Sequence, residues 1–519
     1  MHISALTPLF CTPSTIKIST TMMQRAAATL RRGHRRLSAH SSVINALDVP
    51  DTTQHKPLPA VDTRCGTPSP DHDQPTWSKQ QIQSAAKDHV VFTYGPTDAQ
   101  RDAVPLLRSG EGSYLYDDDG KQYLDWTSQA VCANLGHTVP QSVKAAVAHQ
   151  LDTLPYVYGG LGLVEPRARL ASLLSQVLPG DLNGFLFPSS GAEANEAAIR
   201  IARQFTGRSK ILTRYRSYHG GTATALSATG DFRRNFVDDA PGFIRLMDPN
   251  PMQFSWGSDM AEASERARGA LREQVLGEGP DTIAAIMVEA IPGSAGVLLP
   301  PDGYLQAIRS ICDEFGIVMI VDEVMAGFGR TGHMFGFQRF DDVLPDIVTF
   351  AKGLTAAWLP LAGVAMRSHI QDHFRTNALG YGATYQAHPV SLACGYAVVK
   401  FMLDEDIVGK VQRDTAPIME AEMASLVEDF ACIRQARAVG LFACCDLVST
   451  ETGDRVAPMA GGGPNAEKVA AFKRALKEEG LIAFFRNCMI HVCPPLTITP
   501  EELRDGFGRL RRALSSVDF

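Results

Sequence analysis

Three runs of apolar, β-branched residues constrain this chain most: residues 283–288, 316–321 and 346–351. Runs of this kind, without polar alternation, form strands covered on both faces, as in a parallel sheet between helical layers. Two of them lead into charged residues. Asp322 closes the second and Lys352 the third, thirty residues apart. A charge just past such a strand stands at the carboxyl edge of the sheet, where open α/β folds place their ligands. An acid and an amine delivered to one edge are what a pyridine aldehyde cofactor requires. The amine forms the imine, and the carboxylate keeps the ring nitrogen protonated.

The surrounding pattern supports an α/β fold. Strand-like runs at 185–187 and 210–212 precede the three already named, with helical stretches between them. That alternation implies a mostly parallel central sheet with helices on both faces. Residues 112–124 read as two short strands around an Asp-Gly turn. Helices are expected over 143–151 and 165–177, the second with Pro166 at its start and Leu170, Leu173, Leu174 and Val177 on one face. Past about residue 393 the pattern changes to longer helices and few short strands. The expected division is a large domain over 136–393 and a smaller α+β domain built from both chain ends, 77–135 and 394–519.

The first 47 residues contain no Asp or Glu and carry Lys17, Arg25, Arg31, Arg32, Arg35 and Arg36. This composition is that of an organellar transit peptide, and a mitochondrial matrix address is expected, with plastid and cytoplasm as the alternatives. Residues 48–76, rich in Pro, Asp and Thr, read as a solvated linker. A net charge of -7 leaves no basic stripe for nucleic acid. No apolar stretch is long enough to span a bilayer. The ten cysteines are scattered, with no Cys-x-x-Cys pair. Reduced thiols are the reading they support, and Cys488 and Cys493 are assigned to core packing rather than to a metal.

Residues 187–195 run from a strand straight into a helix. Ser190 and Glu193 have capping-box spacing. Ser190, Gly191 and Ala192 then present backbone N–H groups at a positive helix end, a ready phosphate cradle. Tyr218, before paired glycines, can lie flat on a pyridine ring. Glu289 ends another interior strand, at the rim that Asp322 shares.

Two motifs point elsewhere. Residues 318–323 resemble the magnesium-binding strand of nucleotide triphosphatases, but no Gly-x-x-x-x-Gly-Lys-Ser/Thr loop exists in the chain. Residues 327–332 match the dinucleotide glycine pattern, but do not directly follow the strand or start a good helix. They are read as a structural glycine-rich loop.

With these residues placed, the chain resembles the class III aminotransferases of the fold type I pyridoxal-phosphate enzymes. The matching blocks are Ser-Ser-Gly-Ala-Glu-Ala-Asn-Glu-Ala-Ala, Tyr-Arg-Ser-Tyr-His-Gly, Val-Asp-Glu-Val with Gly-Phe-Gly-Arg-Thr-Gly, Phe-Ala-Lys-Gly-Leu, and Cys-Pro-Pro-Leu-Thr-Ile-Thr-Pro-Glu-Glu-Leu. They stand in family order over roughly residues 90–515. The Tyr-Arg-Ser-Tyr-His-Gly block and residues 481–496 are similar to the taurine–pyruvate and ω-amino acid–pyruvate subgroup.

The resemblance implies pyridoxal 5'-phosphate as cofactor, with Lys352 carrying the aldehyde and Asp322 on the pyridinium nitrogen. It implies Val324 on the ring face opposite Tyr218, with His219 and Glu289 also at the cofactor. Ser190, Gly191 and Ala192 hold the phosphate, and Thr384 reaches the phosphate of a neighbouring subunit in a homodimer. Arg486 matches a mobile arginine that binds a substrate carboxylate, and Phe92 and Val131 are carried over as pocket residues. Val131 stands where several relatives have Trp, which should widen the pocket. Ala192 stands where many have a hydroxyl.

The reaction implied is ping-pong transfer of an amino group from an amino acid or ω-amino donor to a keto acid such as pyruvate or glyoxylate. Lys352 serves as the base. A decarboxylase or aminomutase of the same fold would share every cofactor residue. A nicotinamide-dependent oxidoreductase lacks its glycine-loop context here. A non-catalytic scaffold would need none of Asp322, Lys352 and Arg486.

Overall fold

The computed structural model describes residues 77–519 except 95, 250–258, 457–462, 464 and 487. The transit peptide and linker expected over 1–76 lie outside the described residues.

The chain first builds an antiparallel sheet from β1 (Leu107–Glu111), β2 (Tyr114–Asp117) and β3 (Gln122–Asp125). The β2–β3 turn is the expected one. Asp117 Oδ1 accepts from the N–H groups of Asp119 and Lys121 at 3.1 and 2.9 Å, and Gly120 takes φ +78°.

Seven strands then form the central sheet: β4 (Leu182–Leu186), β5 (Lys210–Arg214), β6 (Phe243–Leu246), β7 (Ile283–Val288), β8 (Val318–Asp322), β9 (Ile347–Phe350) and β10 (Gly363–Arg367). Their order is β4-β10-β9-β8-β7-β5-β6. Pairing is parallel from β9 to β6, while β10 runs antiparallel to both β9 and β4. Every residue of β7, β8 and β9 is buried, as continuous apolar runs require. The register sets Asp322 beside Thr349, so Asp322 and Lys352 leave neighbouring strands at the same edge.

The last strands are β11 (Ile433–Val439), β12 (Phe442–Leu447), β13 (Leu481–Ile482), β14 (Phe484–Arg486) and β15 (Met489–Val492). Four form an antiparallel sheet in the order β11-β12-β15-β14. β13 instead joins the first sheet, parallel to β3. The two ends of the chain therefore share a sheet. Helix Pro500–Ser515 adds to the bond by lying on Trp126, where a Cβ at Gly506 would fall 1.9 Å from the indole ring.

The helices at Gln141–Thr153 and Glu165–Val177 form where the periodicity places them. Positions 393 and 394, where the sequence pattern changes, both lie inside the continuous helix Pro389–Asp404. Mean burial along that helix is high, because it packs on the two helices just named.

The glycine-rich loop at 327–332 is structural. Arg330 is fully buried and donates to Leu441 O, Pro494 O, Ser128 Oγ and Asn134 Oδ1. Burial pushes its guanidinium pKa down to about 10, against the pull of Cys493 and Asp125. Glu323, in the strand that looked magnesium-binding, accepts from the N–H groups of Gly336 and Phe337 at 2.7 and 2.8 Å. Cys488 and Cys493 are buried free thiols, both pushed up to about 11 by burial.

Candidate active site

Helix Gly191–Thr206 starts at the end of β4. Ser190 caps it, its Oγ accepting from Glu193 N at 3.3 Å. The capping box is not closed as expected: Glu193 Oε2 accepts from Ser189 N at 2.7 Å, one residue further back. The first backbone bond of the helix is Ala194 N to Ser190 O, so the N–H groups of Gly191 and Ala192 precede it at the positive end. Two glycines let other segments close on this end. A Cβ at Gly191 would meet Val324 Cγ1 at 2.8 Å. One at Gly220, where φ is +141°, would meet Ala192 Cβ at 2.6 Å.

Asp322 is only 3% exposed and fully engaged on the protein side. Oδ1 accepts from Val324 N at 2.9 Å. Oδ2 accepts from Asn195 Nδ2 at 2.8 Å and from His219 Nδ1 at 2.7 Å. Asn195 is fixed in turn, donating to His219 O at 2.6 Å and accepting from Thr349 Oγ1 at 2.6 Å. His219 Nε2 is buried with no partner among the described residues. Asn195 and Thr349 are functional positions that the sequence reading did not assign.

Glu289 follows β7. It accepts from Tyr218 N at 3.1 Å and Gly293 N at 3.2 Å, and Arg214 donates to its carbonyl. Burial pushes its carboxyl pKa up, against the pull of His219.

Lys352 lies two residues past β9 with φ +36°, an uncommon conformation for a side chain with a Cβ. Gly353 is wedged behind it: a Cβ there would lie 2.5 Å from Asn134 Nδ2 and 2.7 Å from Phe328 Cβ. Burial pushes the Lys352 pKa down, while Cys132, Asp322 and Glu289 push it up. Lys352 and the two carboxylates therefore lie within each other's electrostatic reach.

Tyr218 is half-buried. One face of its ring is covered by Arg233, whose guanidinium carbon is 3.4 Å from the ring centroid, so only the other face can meet a flat heterocycle. Asp231 accepts from Arg233 Nε at 2.9 Å and caps the short helix Phe232–Phe236. Neither residue is singled out by the sequence. Arg486, at the end of β14, is half-buried and lies 4.9 Å over Phe232, its pKa pushed down by burial.

Three further positions, carried over by resemblance, have their own surroundings. Thr384 is exposed, with its carbonyl bound by Tyr156 Oη at 2.7 Å. Phe92 is half-buried, its N–H donating to Thr97 Oγ1 at 3.3 Å. Val131 is 3% exposed and packs within the hydrophobic core.

The donor set fits pyridoxal 5'-phosphate. A helix start with open N–H groups and glycine-cleared surroundings suits a phosphate. A carboxylate locked by three donors suits a protonated ring nitrogen, and a destabilised ammonium suits an aldehyde. All three stand at the carboxyl edge of one sheet. Fold and site together define a fold type I pyridoxal-phosphate enzyme.

The class III aminotransferase family model matches residues 97–514. The solved taurine:2-oxoglutarate aminotransferase of Bifidobacterium kashiwanohense, in complex with pyridoxal phosphate and glutamate, superposes with a TM-score of 0.79. It is 38% identical, covering 85% of this chain and 99% of its own. The putrescine–pyruvate aminotransferase of Pseudomonas aeruginosa is 30% identical over 84% of this chain and 96% of its own. The mitochondrial gamma aminobutyrate transaminase 1 of Solanum lycopersicum is 30% identical over 82% and 84%. The chain belongs to the class III aminotransferase family and is a pyridoxal-phosphate-dependent aminotransferase.

Proposed function

We propose that this enzyme moves an amino group from an amino acid or ω-amino donor to a keto acid such as pyruvate or glyoxylate, by a ping-pong mechanism. The observation that carries the site assignment is the carboxylate of Asp322, held by three donors, with the half-buried Lys352 just past the neighbouring strand. When bound, pyridoxal phosphate supplies an aldehyde that condenses with amines and a ring that takes up an electron pair. Gly191 and Ala192 N–H groups, with the Ser190 cap, hold the phosphate. Asp322 keeps the proton on the ring nitrogen, with Asn195 and His219 fixing its angle. Val324 and the free face of Tyr218 bracket the ring, and Glu289 orients Tyr218 through its backbone. With cofactor and donor bound, Lys352 Nζ would be the base for the proton on the donor's amine-bearing carbon. Its lowered pKa makes the free amine available as that base.

Arg486 binds a substrate acid group, and Phe92 borders the pocket. A small lobe of 77–135 and 394–519 covers a large lobe of 136–393 that carries the cofactor. The active unit is a homodimer in which Thr384 reaches the partner's phosphate. Leu154 and Leu163 are exposed on a groove between helices Gln141–Thr153, Glu165–Val177 and Pro389–Asp404, and Leu151 is exposed on the first of these helices, an apolar surface suited to a second copy. Sedimentation at micromolar concentration tests this, and a monomer would remove Thr384 from the site. Residues 1–47 direct the protein to the mitochondrial matrix. Import of a fluorescent fusion of that segment is the check.

Parallel lines in double-reciprocal initial-rate plots are expected for donor against acceptor. Intersecting lines would exclude the ping-pong order. Bleaching of the yellow cofactor band by candidate donors (β-alanine, taurine, 4-aminobutyrate, alanine) identifies the first substrate. Carbon dioxide release, or isomerisation without keto acid consumption, would instead make the enzyme a decarboxylase or aminomutase.

A further inference from the structure

A largely buried ion pair stands against Tyr218. The guanidinium carbon of Arg233 is 3.4 Å from the centroid of the tyrosine ring, which is van der Waals contact. Asp231 locks Arg233 in that place. Arg233 Nε donates to Asp231 Oδ1 at 3.0 Å and to Oδ2 at 2.9 Å, and Nη2 donates to Oδ2 as well. Asp231 Oδ1 also accepts from Arg233 N at 3.0 Å, so the pair is tied at backbone and side chain. Both side chains are only 14% exposed. The pair is bolted to the Tyr218 segment in turn. The N–H groups of Asp231 and Gly230 donate to Ser217 O at 3.3 and 3.2 Å, and a Cβ at Gly230 would lie 2.1 Å from Arg214 O.

Stability alone is a poor reason for such a pair. Taking a guanidinium and a carboxylate out of water costs more than filling the same space with apolar side chains. What an apolar residue lacks is a planar cation, which prefers the face of an aromatic ring and holds that ring in one plane. Tyr218 needs this support. The bond from its backbone N–H to Glu289 Oε1, 3.1 Å, fixes the main chain and leaves the side-chain torsions open. The bond between its hydroxyl and Tyr94 still lets the ring turn about its own long axis. Only contact on a face stops that turn, and Arg233 supplies it. The pair also stands close to the chemistry, because the field of Arg233 reaches Lys352.

We propose that Arg233, locked by Asp231, is a positioning residue of the reaction: it sets the plane in which the Tyr218 ring meets the cofactor. The proposal rests on the reading of Tyr218 as a ring-face residue and names what orients it. Arg233 acts through Tyr218 and touches neither cofactor nor substrate in this role. Asp231 acts one step further back, by keeping Arg233 on the ring.

The test is a double-mutant cycle read on cofactor binding, with apoenzyme titrated with pyridoxal phosphate. Arg233→Met keeps the length of the side chain and removes the planar cation. Affinity should fall about twofold to thirtyfold, the range set by one contact of this kind. In a Tyr218→Ala background the same substitution should have no further effect, since its target is gone. Asp231→Asn should give a smaller loss that vanishes in the same background. The circular dichroism of the yellow band, per mole of bound cofactor, reports the orientation of the ring beside it. It should change in Arg233→Met and return part of the way in Arg233→Lys, which restores the charge without the plane. Additive losses in the cycle overturn the proposal. So does a lowered melting temperature with wild-type dichroism per bound cofactor, the mark of a residue that only packs the fold. A wild-type apoenzyme that takes up no pyridoxal phosphate fails the aminotransferase reading and this proposal together. A wild type that binds it, with equal affinity in Arg233→Met, fails this proposal alone.

Discussion

His219 donates from Nδ1 to Asp322 Oδ2 across 2.7 Å, with both side chains buried. An ionised carboxylate only accepts, so this bond fixes the imidazole tautomer and, with Asn195, the plane of the carboxylate. His219→Ala removes one charge-assisted bond from a buried group, a loss of about 1.5–3 kcal/mol. The expected result is a fall in kcat/KM of about ten- to a hundredfold, with the cofactor still bound. His219→Asn can place an amide N–H where Nδ1 stands and should recover much of the loss. Equal rates for the two variants would mean that His219 does not orient Asp322.

Lys352 combines a strained backbone with a pKa lowered by burial. Lys352→Ala keeps the Cβ and its backbone conformation but removes the base. Turnover should fall by at least about a thousandfold. The yellow band should vanish, while the melting temperature stays level or rises. Wild-type turnover in this variant would mean that another lysine carries the aldehyde.

Asp322 and Lys352 were legible because interior parallel strands show themselves as unbroken apolar runs, and a charge at the end of such a run has one place to go. Ser190–Ala192 were legible because a cap followed by a helical period marks a helix start. Antiparallel β10 was not. Four buried residues and a half-buried Arg367 carry no sign of direction, which the preceding loop decides. Arg233 was illegible for a similar reason: its place on Tyr218 depends on how the chain returns after helix Ala223–Ala228. Asn195 reads as an ordinary polar helix residue until Asp322, 127 positions away, is folded against it. Val131 takes φ +56° and packs in the core, a turn that no local pattern in the sequence announces.

Gly220 tests the phosphate cradle separately from the chemistry. Gly220→Ala puts a Cβ 2.6 Å from that of Ala192, at φ +141°. Together these cost about 1–3 kcal/mol, and the helix start must move to accommodate the methyl. Cofactor affinity, measured by reconstitution of apoenzyme, should weaken by about tenfold or more. Turnover at saturating pyridoxal phosphate should suffer less. Unchanged affinity would place the phosphate elsewhere.

Glu323 predicts a pH dependence of stability that does not involve catalysis. Its carboxyl is fully buried, and burial pushes its pKa up to about 8 although two backbone N–H groups oppose the shift. Between the ordinary carboxyl pKa and 8 the unfolded chain has released this proton and the folded chain still holds it. The unfolded state binds fewer protons there, so stability falls as pH rises. The contribution is complete below about pH 4.5, declines through neutrality and is lost above about 8. Glu323→Gln removes that slope. It also leaves one of the N–H groups of Gly336 and Phe337 facing an amide N–H, at a pH-independent cost of about 1–3 kcal/mol. Urea unfolding at pH 6 and pH 9 should therefore show a larger drop for wild type than for the variant. Equal drops would mean that Glu323 stays ionised in the core, held by its two backbone donors.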